Sequence, residues 1–333
     1  MELRAPGKKD TTLAPIRVNA DRERNYSAAL QNMVRAMSAS YEYWIAGKYR
    51  DAVDANADAD RIPDMAQDAK KGAGKTTRDM FAELTRLRKY WTDYFNKYAE
   101  KLAEQATDAW YKDNANAWGG KLKRAGFDVK LQLTPSQKLI LKTKVRENVA
   151  LIKSIHEDYH KNIEGIVSRS FLAGRDLSTM TDKIKDAGGV STRRAAFIAR
   201  DQANKATAQM NDARQRELSI RFCYWVHSSA GKEPRAAHVR AGREQWVYVV
   251  GEGIDFKDGF GPVKPGEAIN CRCTSRSIIP ALGRGDVQSL DDLEAVPGFP
   301  GAYRAKKGKT AGAKTGIDVV DTRVPKGSPV KYS

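Results

Sequence analysis

The chain has 333 residues, with 58 Lys+Arg against 41 Asp+Glu and a formal net charge of +17. That length suffices for one large or two modest domains with a buried core. No apolar run nears the roughly 18 residues of a membrane helix, and MELRAPGKKD lacks an apolar signal region, so an integral membrane protein or a Sec-secreted scaffold is not expected. The three cysteines, Cys223, Cys271 and Cys273, are odd in number, which favours free thiols in a reducing compartment over a disulfide framework. The charge points to a polyanionic partner, because cationic surfaces gain free energy by releasing counterions from nucleic acid.

Residues 1–25 show no apolar period and read as a flexible arm. A helix is expected from about Tyr26 to Val53, with Leu30, Met33, Met37, Tyr41 and Trp44 at three- and four-residue spacing. A small and charged linker follows, broken by Pro63 and Gly72. A second long helix, about Thr76–Tyr111, carries Phe81, Leu84, Leu87, Trp91, Phe95, Tyr98 and Leu102, and residues 113–130, with Gly119-Gly120, read as a loop. The third helix has the clearest start: Thr134 as cap, Pro135 at the first helical position and Gln137 completing a capping box. Its seam, Val145, Val149, Ile152, His156, Tyr159, Ile163 and Ile166, runs toward Gly174 and demands partner helices. A shorter helix around Leu177–Lys185 is expected to stop at Gly188-Gly189.

After Ser191 the character changes. Residues 192–217 form an alanine-rich helix, then β-like runs appear at Arg221–Val226, Gln245–Val250 and Ile254–Phe256. A Gly/Pro-rich loop leads to Cys-Arg-Cys and the apolar Ile278-Ile279. From about Ala281 periodicity is lost, and the last 33 residues hold eight Lys/Arg against two Asp. The fold class expected is α+β, predominantly α: a flexible arm (1–25), a long-helical region (26–190), a small α+β domain (191–280) and a basic disordered tail (281–333).

Three constellations carry chemistry. His156-Glu157-Asp158-Tyr159-His160 spells H-E-x-x-H, which on a helix sets two imidazoles on one face as a zinc peptidase requires, with Glu157 as general base. Against this, His156 lies in the apolar seam, Asp158 and Lys161 add charge, and no third ligand stands out. His238, Cys271 and Cys273 can supply three of four tetrahedral zinc positions, with Cys223 or His227 as a fourth; otherwise the cysteines are small core residues at a strand end. A structural zinc is the one cofactor this spacing admits. Finally, Arg193, Arg194, Arg200 and Arg235, with Lys306, Lys307 and Lys309 of the tail, suit double-stranded DNA phosphates without base reading. Any one of these cations can equally sit in an ion pair on a solvated face.

The order of features from Ala195 to Pro280 resembles the phage Mu F-like family of minor head proteins. The resemblance rests on Phe197-Ile198-Ala199-Arg200 with Asn204, Trp225 in a strand, Pro234-Arg235-Ala236-Ala237-His238 with Gly242, and Pro265 before Asn270-Cys271-Arg272-Cys273. Asp201-Gln202, Gly231 and Glu233 depart from the family's usual residues. The resemblance implies a non-enzymatic, low-copy phage head protein, located in the head interior or at the portal vertex and assembled in the host cytoplasm. Its partners would be the portal protein, procapsid components and DNA, and its action head assembly and genome packaging or delivery. The rival readings are a zinc metallopeptidase built on the HEDYH helix and a basic DNA-binding accessory protein.

Overall fold

The computed structural model describes residues 12–57, 66–127, 129, 131–172, 177–229, 233–279 and 287–307. The elements in chain order are β1 (Thr12–Leu13), α1 (Ala20–Ala57), α2 (Ala66–Arg124), α3 (Pro135–Leu172), α4 (Leu177–Glu217), β2 (Phe222–Val226), α5 (Ala236–Arg243), β3 (Val247–Val249), β4 (Ile254–Asp255), β5 (Pro262–Val263), β6 (Thr274–Ile278), a 3-10 turn (Leu290–Asp292), β7 (Leu293–Ala295) and β8 (Tyr303–Ala305). This is the α+β, mainly α, architecture expected. No helix among the described residues is long and apolar enough to cross a membrane.

Two compact units emerge, and neither is a single stretch of chain: residues 18–112 with 138–206 form one, and residues 1–17, 113–137 and 207–333 the other. The first is all-helical. Its core joins Leu30, Met37 and Tyr41 of α1, Leu84, Leu87 and Phe95 of α2, Ile152, Tyr159 and Ile163 of α3, and Ile184, Ala195 and Ala199 of α4. Heptad-like spacing thus found its partners, although Trp44, Phe81 and Tyr98 of the expected stripes remain 43%, 37% and 39% exposed.

Several boundaries differ from expectation for identifiable reasons. α1 starts at Ala20 rather than Tyr26, because Asn19 caps it: its Oδ1 accepts the backbone N–H of Asp21 at 3.0 Å and of Arg22 at 3.4 Å. The segment expected as loop around Gly119-Gly120 is helical to Arg124, held by buried Trp118 and Leu122. α4 does not stop at Gly188-Gly189. A Cβ at Gly188 would lie 2.1 Å from Ser38 Oγ, so this glycine lets α4 approach α1 instead of ending the helix. The capping box of α3 forms as read, with Gln137 N–H donating to Thr134 Oγ1 at 3.3 Å and Thr134 N–H donating to Gln137 Oε1 at 3.2 Å.

The second unit is built on a six-stranded antiparallel sheet, order β1-β6-β2-β3-β8-β7, with a β4–β5 hairpin beside it. Two corrections follow. Part of the expected arm is built into the sheet, because Thr12 and Leu13 pair with Ile278 and Ser277 of β6, and Leu13 and Ile16 are buried. Residues 1–11 lie outside the described residues. Residues 287–307, expected within a disordered tail, are ordered instead: β8 pairs with β3 at Tyr303 and Val247, β7 pairs with β8, and Val287, Leu293, Val296 and Ala302 are buried. Strands of three residues flanked by Gly and Pro give too short an alternation to read from sequence. Residues 281–286 and 308–333 lie outside the described residues.

Candidate metal centre

In the sheet-bearing unit, three sequence-distant groups converge. His238 sits in the first turn and a half of α5, Cys271 ends the Gly/Pro-rich loop, and Cys273 immediately precedes β6. His238 Nδ1 stands 3.6 Å from Cys271 Sγ and 3.8 Å from Cys273 Sγ. The ligand atoms all lie within 4.8 Å of one another, and all three residues are buried, at 3%, 4% and 5% exposure. Cys223 and His227 do not join them: Cys223 Sγ donates toward Ser277 Oγ at 3.8 Å, and His227 Nδ1 accepts the Ser229 N–H at 3.1 Å.

The surrounding sequence builds this geometry. Arg235, extended at the cap of α5, donates from its guanidinium to the Ile269 carbonyl at 3.1 Å and so ties the helix start to the cysteine loop. Asn270 turns that loop with φ of +57°, and Cys271 N–H donates to the Ala268 carbonyl at 2.9 Å. A Cβ on Gly242 would fall 2.5 Å from His227 Cβ and 2.8 Å from its backbone N, so only glycine lets α5 lie this close to the end of β2. Trp225 meets the His238 ring edge-on at 4.9 Å, and Phe256 lies 4.3 Å from it. Neighbouring Cys273 and His238 hold the Cys271 thiol down despite its burial, while Cys271 and burial push the Cys273 thiol up.

The HEDYH helix offers a different picture. His156 and His160 do share a face, with rings 6.3 Å apart, but that face is inside the helical unit. His160 Nδ1 lies 2.9 Å from the Tyr41 hydroxyl, its Nε2 lies 3.2 Å from a Glu164 oxygen, and His156 packs on Phe95 at 5.6 Å. Glu157, the would-be base, is exposed on the other side. Burial first, then the neighbouring His160 and the Arg88 charge, lower the His156 imidazole to about 4. This is a packed core pair rather than an open hydrolytic site.

The expected DNA-contacting cations divide between the units. Arg193, Arg194 and Arg200 belong to the helical one, with Arg193 exposed and Arg194 held by Asp158 and by Ser154 Oγ at 3.0 Å. Arg235, Lys306 and Lys307 belong to the other; Lys306 is exposed and donates to the Asp291 carbonyl at 2.7 Å. Lys309 lies outside the described residues.

Sequence reading missed a polar hub at the end of α4. Asn211 Oδ1 accepts from Asn114 at 2.8 Å and from Trp118 Nε1 at 3.0 Å, while its amide donates to the Ile16 carbonyl at 3.1 Å. Asp212, buried, accepts the Gly251 N–H at 2.9 Å and pairs with Arg216 at 2.8 Å and Lys264 at 3.3 Å. Arg214 is buried on Glu217 at 2.6 Å and on the Gln132 carbonyl at 3.2 Å, so it is not available to DNA. The available signal was a polar stretch, Asn211-Asp212 and Arg214 to Glu217, interrupted only by Ala213, on a helix otherwise rich in alanine.

Residues 161–276, about a third of the chain, match the family described as phage Mu protein F like protein, so this stretch is similar to that family. The matched stretch includes Arg235, His238, Gly242, Cys271 and Cys273. A relative described as an uncharacterized protein of Haemophilus influenzae (strain ATCC 51907 / DSM 11121 / KW20 / Rd) is 30% identical over 132 residues, covering 40% of this chain. The matched region spans only 28% of that relative's length. No solved structure matches.

Proposed function

We propose that the protein is a minor head protein of a tailed phage, associated with the portal or procapsid and acting in head assembly and in genome packaging or delivery. The Mu F-like stretch supports this reading most directly, because its motif residues come together around one buried centre. In this reading the long helices serve as contact surfaces for head components. The exposed cations touch double-stranded DNA through phosphates alone, which suits a DNA-filled shell where no sequence need be read. The role is structural rather than catalytic, and the virion is its place of action.

The experiment is quantitative mass spectrometry of purified particles and procapsids from cells expressing the chain with its neighbouring head genes. The expected result is a low-copy component that co-purifies with portal-containing heads and whose deletion lowers the yield of DNA-filled particles. Its absence from particles, together with DNA affinity of the isolated chain, would favour a basic DNA-binding accessory protein instead.

A further inference from the structure

We propose that His238, Cys271 and Cys273 bind one zinc ion, which pins α5 and the 264–273 loop to the start of β6.

The distances carry the argument first. With metal–sulfur bonds of about 2.3 Å and metal–nitrogen bonds of about 2.0 Å, a tetrahedral centre sets sulfur and nitrogen roughly 3.6 Å apart. The two sulfur–nitrogen separations here are 3.6 and 3.8 Å. Two edges of such a tetrahedron are therefore already set, and all three ligand atoms lie within 4.8 Å of one another. Two thiolates and an imidazole select a borderline-soft ion such as zinc over calcium or magnesium, which take oxygen donors.

The histidine's surroundings carry it second. A core imidazole normally satisfies both ring nitrogens with oxygen or nitrogen partners. His238 does neither among the described residues: Nδ1 faces only the two sulfurs, and Nε2 is buried without a hydrogen-bond partner. Ordinary polar satisfaction gives no reason to bury an imidazole there; a metal at Nδ1 does. Aromatic walls from Trp225 and Phe256 and exposures of 5% or less shield the site from bulk water. Among the described residues no fourth His, Cys, Asp or Glu completes the set, so the remaining position falls to a small non-protein ligand such as water.

The test uses the full chain, purified with its thiols reduced and loaded with zinc or with cobalt(II) as a spectroscopic substitute. Elemental analysis after gel filtration should return about one metal per chain. The cobalt form should show a sulfur-to-metal charge-transfer band and the intense visible absorption of a four-coordinate site. Cys271→Ser and Cys273→Ser should lose both signals, whereas Cys223→Ser and His160→Ala should keep them. A wild-type chain that retains no metal after loading would overturn the proposal, whether or not the variants fold. So would metal retained equally by the Cys271 and Cys273 variants, or metal lost with His160→Ala alone.

Discussion

The Tyr41 hydroxyl lies 2.9 Å from His160 Nδ1, joining helices α1 and α3 across 119 positions of sequence. This contact, with the Glu164 oxygen on the other ring nitrogen, turns half of an apparent zinc-peptidase motif into part of a helical core. Motif spelling and motif chemistry part company here because the face shared by His156 and His160 is the packed one.

Burying these imidazoles has a cost that depends on pH. His156 titrates near 4 in the folded chain against about 6.5 when unfolded, so between those values only the unfolded state takes the proton. Stability should be full above about pH 6.5 and should fall as pH drops toward 4, by roughly 3 kcal/mol from this residue. His160 is lowered in the same sense by burial, partly offset by Glu164. Urea unfolding at pH 7 and pH 4.5 measures the loss, and His156→Leu should flatten it; equal pH slopes would refute the assignment.

Glu157 is exposed and has no part in that core. Glu157→Gln should change stability by no more than about 0.5 kcal/mol and leave any bound metal in place. A loss of peptidase activity in this variant, measured on head proteins as substrates, would restore the enzymatic reading.

Asn211 serves three partners at once: Asn114, Trp118 and the Ile16 carbonyl. Asn211→Ala leaves those groups unsatisfied in the interior and should destabilise the chain by about 2–3 kcal/mol. The Trp118 fluorescence should report the change directly, since its indole N–H loses its acceptor.

Gly301 has φ of +81°, and a Cβ there would lie 2.4 Å from the Gly253 carbonyl oxygen. Gly301→Ala should therefore destabilise by roughly 2 kcal/mol or more. Gly298, also at positive φ but with nothing near its missing Cβ, is the control. Its alanine variant carries the backbone strain alone and should lose less, as thermal unfolding would show.

The ordered strands at 293–305 decide where a tail deletion must be cut. Truncation after Lys307 keeps β7 and β8 and removes five Lys/Arg, whereas truncation at 281 removes both strands. The first should leave the melting temperature in place and make the salt dependence of DNA binding shallower. The second should lower solubility by uncovering β3. A salt slope unchanged after the first truncation would take the tail out of the DNA contact.

The long helices were readable because each seam, such as Ile152, Tyr159 and Ile163, repeats over many turns. Their ends were less so: Asn19 is a visible cap, but Gly188 acts through packing on Ser38 that only the folded neighbour defines, and the Gly119-Gly120 segment stays helical through buried Trp118 and Leu122. The His238, Cys271 and Cys273 trio was legible as residue types, while its closeness depended on α5, which is too short for its period to show. β7, β8 and the Asn211 hub stayed hidden because their stabilising contacts come from β3, α2 and Ile16, far away in sequence.

The strand order places Thr12–Leu13 on one edge of the sheet and Leu293–Ala295 on the other, with every intervening pairing antiparallel. During synthesis, then, the earliest strand waits unpaired until β6 has emerged some 265 residues later, and β3 waits again for β8. The helical unit has all its segments by residue 206 and can collapse first. Closing such distant loops makes the sheet the slow step of folding, exposed to aggregation while it waits. Translation interrupted between residue 206 and Tyr303 would release a chain with a complete helical unit and an unfinished sheet.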